Sequence, residues 1–133
     1  MAEQQGTPDG DVVEVRIPTA VVYIATLRLT AASLAARCDL TIDDIEDLRL
    51  AVDEASALLL PHAVEGSALT ARFHLAPGRL AVSATVDTGG DAEPDRAGFA
   101  WTVLGALANS VDVEQSAGRL TITITKTREA ASA

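Results

Sequence analysis

Two runs, LTARFHLA (69–76) and RLAVSATV (79–86), flank the dipeptide Pro77-Gly78. Apolar and polar residues alternate through both, and a Pro-Gly pair supplies the backbone angles a tight turn needs, so the stretch predicts a β-hairpin. VDVEQS (111–116) and RLTITITKT (119–127) predict a second hairpin around Ala117-Gly118. VVEVRI (12–17) predicts a single strand with Val13, Val15 and Ile17 on one face. Period-two strands present one apolar face, and something must cover it.

Helical spacing supplies the cover. Pro18 ends the first strand and Thr19 is the predicted N-cap of a helix over 20–37, with Ile24, Leu27, Ala31, Leu34 and Cys38 in one stripe. A second helix starts after Thr41, where Asp44 completes a capping box, and runs to about Leu60, stopped by Pro61. Its apolar stripe is Ile45, Leu48, Val52, Ala55 and Leu59. DTGGDAEPDRAG (87–98) reads as a long loop, and FAWTVLGALANS (99–110) as a third helix with Phe99, Val103, Leu104 and Leu107 turned inward. The order β-α-α-β-β-loop-α-β-β predicts a two-layer α/β sandwich. Its sheet is mixed and mostly antiparallel, of about five strands, and three helices cover one face. Residues 1–10 are read as a loose arm, 11–127 as one domain and 128–133 as a frayed tail.

With 133 residues there is room for one core, and aromatics at 3% leave that core to Val, Leu, Ile and Ala. A net charge of −9 disfavours contact with nucleic acid or an anionic membrane. It suits a basic protein partner, or solubility alone. The single Cys38 cannot form an internal disulfide and lies in an Ala-rich run, as a packed thiol would. The first residues show no secretory signal and no run approaches a membrane span, so a cytoplasmic location is expected. His62 and His74 lack a second ligand at metal-binding spacing, and no metal site is predicted.

The stretch RLAVDEASALLL (49–60) sets two adjacent carboxylates in an apolar helix. Asp53 stands one turn after Arg49 and is expected to pair with it. Glu54 falls beside Leu50 and Leu58 on the helix flank, either as a solvated edge or as a working carboxylate. Asp87-Thr88-Gly89-Gly90 taken alone is a turn leaving a strand, and Trp101 a packing anchor.

Four segments together give these residues a second reading: DLRLAVDEA (47–55), VDTGG (86–90), LGALANSVDVE (104–114) and GRLTITITK (118–126). With the element order, they resemble the GHKL (histidine kinase-like ATPase) superfamily, and within it the short anti-sigma factors related to serine-protein kinases. The likeness runs over about residues 12–127. It implies that Glu54 stands at the position of the general base and Asp87 at the adenine-binding position. Gly89 and Gly90 follow in the glycine loop, and Gly98 opens a second glycine segment. ATP and magnesium are the implied cofactors. The implied partners are a sigma factor, a STAS-type anti-anti-sigma factor and a second copy of the chain, with Arg28 and Arg37 near the sigma-facing helix.

The sequence departs from that pattern at three places. Leu58 replaces the metal-holding asparagine one turn after Glu54, and a leucine offers magnesium no oxygen. The loop after Asp87 reads TGGDAEP instead of the usual aspartate-x-glycine-x-glycine spacing. Phe99, Ala100 and Trp101 follow Gly98 where small residues would approach phosphates, and only Arg96 offers a cation nearby. Phosphoryl transfer depends on positioning and charge stabilisation. The expected function is therefore an anti-sigma factor that sequesters an alternative sigma factor, its ATP site degenerate and its kinase activity weak or absent. The alternative is an active ATP/Mg-dependent serine protein kinase acting on the STAS-domain partner.

Overall fold

The computed structural model describes residues 9–90 and 98–128. Most of the arm, the tail after Arg128, and residues 91–97 with Arg96 lie outside them. The predicted alternation becomes five strands: β1 (Val12–Pro18), β2 (Ala68–Ala76), β3 (Arg79–Asp87), β4 (Ser110–Ser116) and β5 (Arg119–Thr127). They form one sheet in the order β1-β2-β3-β5-β4, and every ladder is antiparallel. The β2–β3 turn carries Pro77 and then Gly78 at φ +70°. Ala117 and Gly118 join β4 to β5 with φ of 53° and 74°, the mirror-image geometry that suits a two-residue hairpin.

Three helices lie on one face: α1 (Ile24–Arg37), α2 (Ile42–Leu59) and α3 (Phe99–Leu107). The capping box at α2 forms as predicted, with Thr41 and Asp44 exchanging side-chain and backbone bonds. The expected cap at Thr19 does not. Residues Val21–Tyr23 make a 3-10 turn instead, Tyr23 stands at the N-cap of α1 without a side-chain bond, and the Thr19 hydroxyl donates to the Ser67 carbonyl. At the other end α1 closes on Asp39 at φ +62°, with Leu40 N–H bonded to the Ala35 carbonyl and Asp39 N–H to that of Ala36. This is a Schellman closure with aspartate in the place glycine usually takes.

The core lies between α1, α2 and the inner phase of the sheet. Leu48, Val52, Ala55 and Leu59 of α2 meet Leu80, Val82 and Val86 of β3 and Leu120, Ile122 and Ile124 of β5 in one buried cluster. Leu27, Ala31 and Ala35 of α1 complete it over Ala71 and Phe73 of β2. Alanine at so many facing positions lets the helices approach the sheet closely. The internal space left beside Val52 and Ala55 is about 10 Å³, room for no more than one water.

One inward assignment is overturned. Phe99 is 80% exposed, whereas Leu104 is fully buried and Trp101 packs against the core. Nine-residue α3 also stops at Leu107, short of the predicted end. Residue 99 occupies the first helical position, and the helix buries its later residues instead. The two phenylalanines should accordingly behave differently in urea unfolding. Phe73→Ala, in the fully buried position, is expected to lose roughly 3–5 kcal/mol. Phe99→Ala should stay within about 0.5 kcal/mol of the parent, as exposed substitutions do.

Candidate functional site

Helix α2 carries acid on both of its flanks, and each flank is tied to a different neighbour. On one side Asp53 accepts two hydrogen bonds from Arg28 Nη1 of α1, at 2.8 and 3.0 Å. The expected Arg49–Asp53 pair is therefore absent, and Arg49 bonds Glu46 at 2.8 Å. A local helical pair is worth only a few tenths of a kcal/mol, so a better-placed arginine on the adjacent helix easily displaces it. Arg28 is correspondingly committed within the domain, whereas Arg37 remains exposed at the end of α1.

On the other flank Lys126 Nζ lies 3.1 Å from Asp47 Oδ2, 4.0 Å from Asp44 Oδ1, and 3.0 Å from the Leu107 carbonyl that it bonds. Its side chain is 12% exposed. One ammonium thus joins the start of α2, the end of β5 and the last turn of α3. Glu54 follows Asp47 by two helical turns, so it shares this α3-facing flank. It is half-buried, and no ion pair to it is found among the described residues. Leu58, one turn further, packs its side chain against the core.

The glycine loop gathers at the end of β3. The Asp87 carbonyl accepts from Val64 N–H at 2.8 Å, just beyond the end of α2, and Thr88 N–H donates to the Gly118 carbonyl at 2.7 Å. The Thr88 hydroxyl donates to the Gly90 carbonyl. Gly89 has φ +71°, and a Cβ there would stand 3.2 Å from Val64 Cγ2, so this close approach favours glycine. Val64, Ser67, Asp87, Gly89, Gly90 and Gly118 line an open recess. The Asp87 carboxylate itself takes the outer phase of β3, opposite Arg119 in register, with Arg119 Nε 3.5 Å away.

Asp87, Gly89 and Gly90 therefore come together, whereas Glu54 and Leu58 stand in the helical layer over the other face of the sheet. Gly98 heads α3 as its N-cap with an extended backbone and no side-chain cap. Among the described residues no group of three or more His, Cys, Asp or Glu side chains could hold a metal ion. No helix among them is long and apolar enough to cross a membrane.

Sequence reasoning missed Lys126 with its two aspartates, and Val64 with Ser67 in the recess. The lysine had a signal. In RLTITITKT it follows Leu120, Ile122 and Ile124 in the buried phase of the strand, where a charge requires a partner.

A two-layer sandwich with an acidic second helix and a glycine loop at the end of β3 defines an ATPase domain of the GHKL type. Residues 17–126 match the histidine kinase-like ATPase domain family, and the chain belongs to that family. It is 34% identical over 76 residues to the serine-protein kinase RsbW of Halalkalibacterium halodurans, covering 56% of this chain and 47% of that protein. With RsbW of Bacillus velezensis it shares 43% identity over 53 residues, covering 40% of this chain and 33% of that one. The chain thus spans less than half the length of these relatives. The RsbU and RsbW domains of Rv1364c from Mycobacterium tuberculosis share its fold, with a TM-score of 0.68 at 18% identity over 88% of this chain and 32% of that one.

Cys38 is fully buried, and its burial pushes the thiol above the ordinary cysteine range. A raised folded-state pKa stabilises the fold below the ordinary thiol pKa and loses that contribution as pH climbs through it towards the shifted value. Iodoacetamide at pH 8 is expected to modify Cys38 only as fast as the domain opens. Immediate stoichiometric labelling of the native protein would contradict this.

Proposed function

We propose that this chain is an anti-sigma factor, which binds and sequesters an alternative sigma factor, and that its nucleotide site is degenerate. The observation that carries the reading is Leu58. One turn after Glu54, where the resemblance implies the metal-holding asparagine, this chain has a leucine packed against the core. A partly buried, methyl-bearing side chain there serves folding and offers no oxygen with which Glu54 could share a cation. Two further features point the same way. Asp87, at the adenine position, faces Arg119 on the far side of the sheet from Glu54. Phe99, next to Gly98, presents a bulky exposed ring where phosphates would need a close backbone approach.

In this reading ATP and magnesium bind weakly or not at all, and no phosphoryl step is assigned to Glu54. A sigma factor needs basic surface for promoter DNA, and a chain of net charge −9 complements it. A STAS-type antagonist competing for the same protein would release the sigma factor. The second reading, an active serine protein kinase acting on that antagonist, is favoured by the name of the RsbW relatives and by the retained Glu54.

Calorimetric titration separates the two. The expected result is no saturable micromolar binding of Mg-ATP, together with capture of a sigma factor by the tagged chain. Leu58→Asn should raise nucleotide affinity measurably if the remaining site is intact. Micromolar Mg-ATP binding abolished by Asp87→Ala, with phosphate transfer to a STAS-domain substrate, would establish the kinase instead.

A further inference from the structure

Among the described residues no helix lies over the outer face of the sheet. Towards the β2–β3 turn this face sinks into a recess of about 480 Å³, within the range of small-molecule sites. Register explains the hollow. One row across the strands reads His74, Ala81, Thr125, Ser110 from β2 to β4, and the next reads Ser83, Thr123, Asp112 from β3 to β4. Short side chains therefore form the floor. His74 and Arg79 stand along one side, Asp112 along the other, and Asp9 with Gly10 closes the end, where Gly10 N–H bonds the Leu75 carbonyl.

Thr125 is only 7% exposed, whereas Thr121 and Thr123 in the same phase of β5 are half-buried. It lines the recess, and its hydroxyl has no hydrogen-bond partner among the described residues. A hydroxyl enclosed in that way costs stability, and a ligand that bonds it recovers the loss. The ionisable groups are unpaired as well. Asp9, His74, Arg79 and Asp112 all line the recess, and none of them makes an ion pair or a side-chain hydrogen bond among the described residues. Further along the same face, by contrast, Arg72 stands 3.6 Å from Glu14 and Arg119 3.5 Å from Asp87.

These groups suit one kind of ligand. Arg79 and His74 offer donors to a carboxylate, Asp9 at the same end offers an acceptor to an ammonium, and Asp112 offers a second acceptor across the floor. With strands about 4.8 Å apart, the His74 and Asp112 Cα atoms are roughly 16 Å apart, which inclined side chains narrow to on the order of 10 Å. An extended lysine or ornithine with a hydrogen bond at each end covers that distance. We propose that this recess binds a free basic amino acid. Its carboxylate lies at Arg79 and His74, its α-ammonium at Asp9, its methylenes over Ala81, and its distal ammonium between Asp112 and the Thr125 hydroxyl. A chain of net charge −9 also favours a cationic ligand. The recess is on the opposite side of the sheet from Glu54, and the proposal goes beyond the anti-sigma reading without depending on it.

The test is a titration of the whole chain with L-lysine, followed by amide NMR shifts, with thermal melts as the folding control. Norleucine, which lacks the distal ammonium, and cadaverine, which lacks the carboxylate, are the comparison probes. L-Lysine should give saturable shifts centred on Ala81 and Thr125, and should bind about tenfold or more tighter than either analogue. Asp112→Asn and Arg79→Gln, both at exposed positions, should leave the fold intact and each weaken L-lysine by about tenfold or more. Absence of saturable shifts would overturn the inference, as would equal affinity for either analogue. An L-lysine affinity unchanged in both variants would overturn it too. Sigma capture, scored separately, decides the proposed function whatever the titration gives.

Discussion

Everything in this domain depends on one contact, the apolar stripe of α2 laid along the two strands β3 and β5. Leu48, Val52, Ala55 and Leu59 lie against Val82, Val86, Ile122 and Ile124, and these side chains are nearly or fully buried. Hydrophobic burial of this kind is non-directional. The small residues in the layer, Ala51, Ala55, Ala71 and Ala84, set how closely the helix approaches. Once α2 is seated, α1 and α3 have fixed positions on either side of it.

Two ion pairs then act as fasteners. Arg28–Asp53 holds α1 to α2, and Lys126 draws Asp47 of α2 towards the carboxyl end of α3. The first is about one-third exposed and screened accordingly, so it orients the helices more than it stabilises them. The second is more enclosed, and removing its lysine would leave the buried Asp44 and its neighbour Asp47 without their shared cation. Glu54 lies along the same flank two turns from this lysine, and Leu58, a turn beyond Glu54, packs against the core.

Much of this was legible beforehand because it is local. Strand alternation, Pro-Gly and Ala-Gly turns, and the Thr41–Asp44 box act over a few residues, and each formed where the pattern put it. What escaped was set by long-range geometry. Arg28 reaches Asp53 from 25 residues away, beyond any helical pairing rule. Phe99 fitted a helical stripe, yet the first position of a nine-residue helix need not meet the layer beneath. Asp87 is more instructive. The phase of Leu80, Val82, Ala84 and Val86 already sends residue 87 to the outer face, whereas the glycine-loop resemblance suggested a ligand-facing role.

The proposed function makes this chain a binding module on a histidine kinase-like ATPase fold. Its central claim is that binding no longer depends on nucleotide. The most direct measurement is the affinity of the purified chain for its captured sigma factor, by calorimetry, with and without Mg-ATP. The predicted result is the same dissociation constant in both conditions. A change of about tenfold or more, corresponding to roughly 1.4 kcal/mol of coupling between the two sites, would contradict the account.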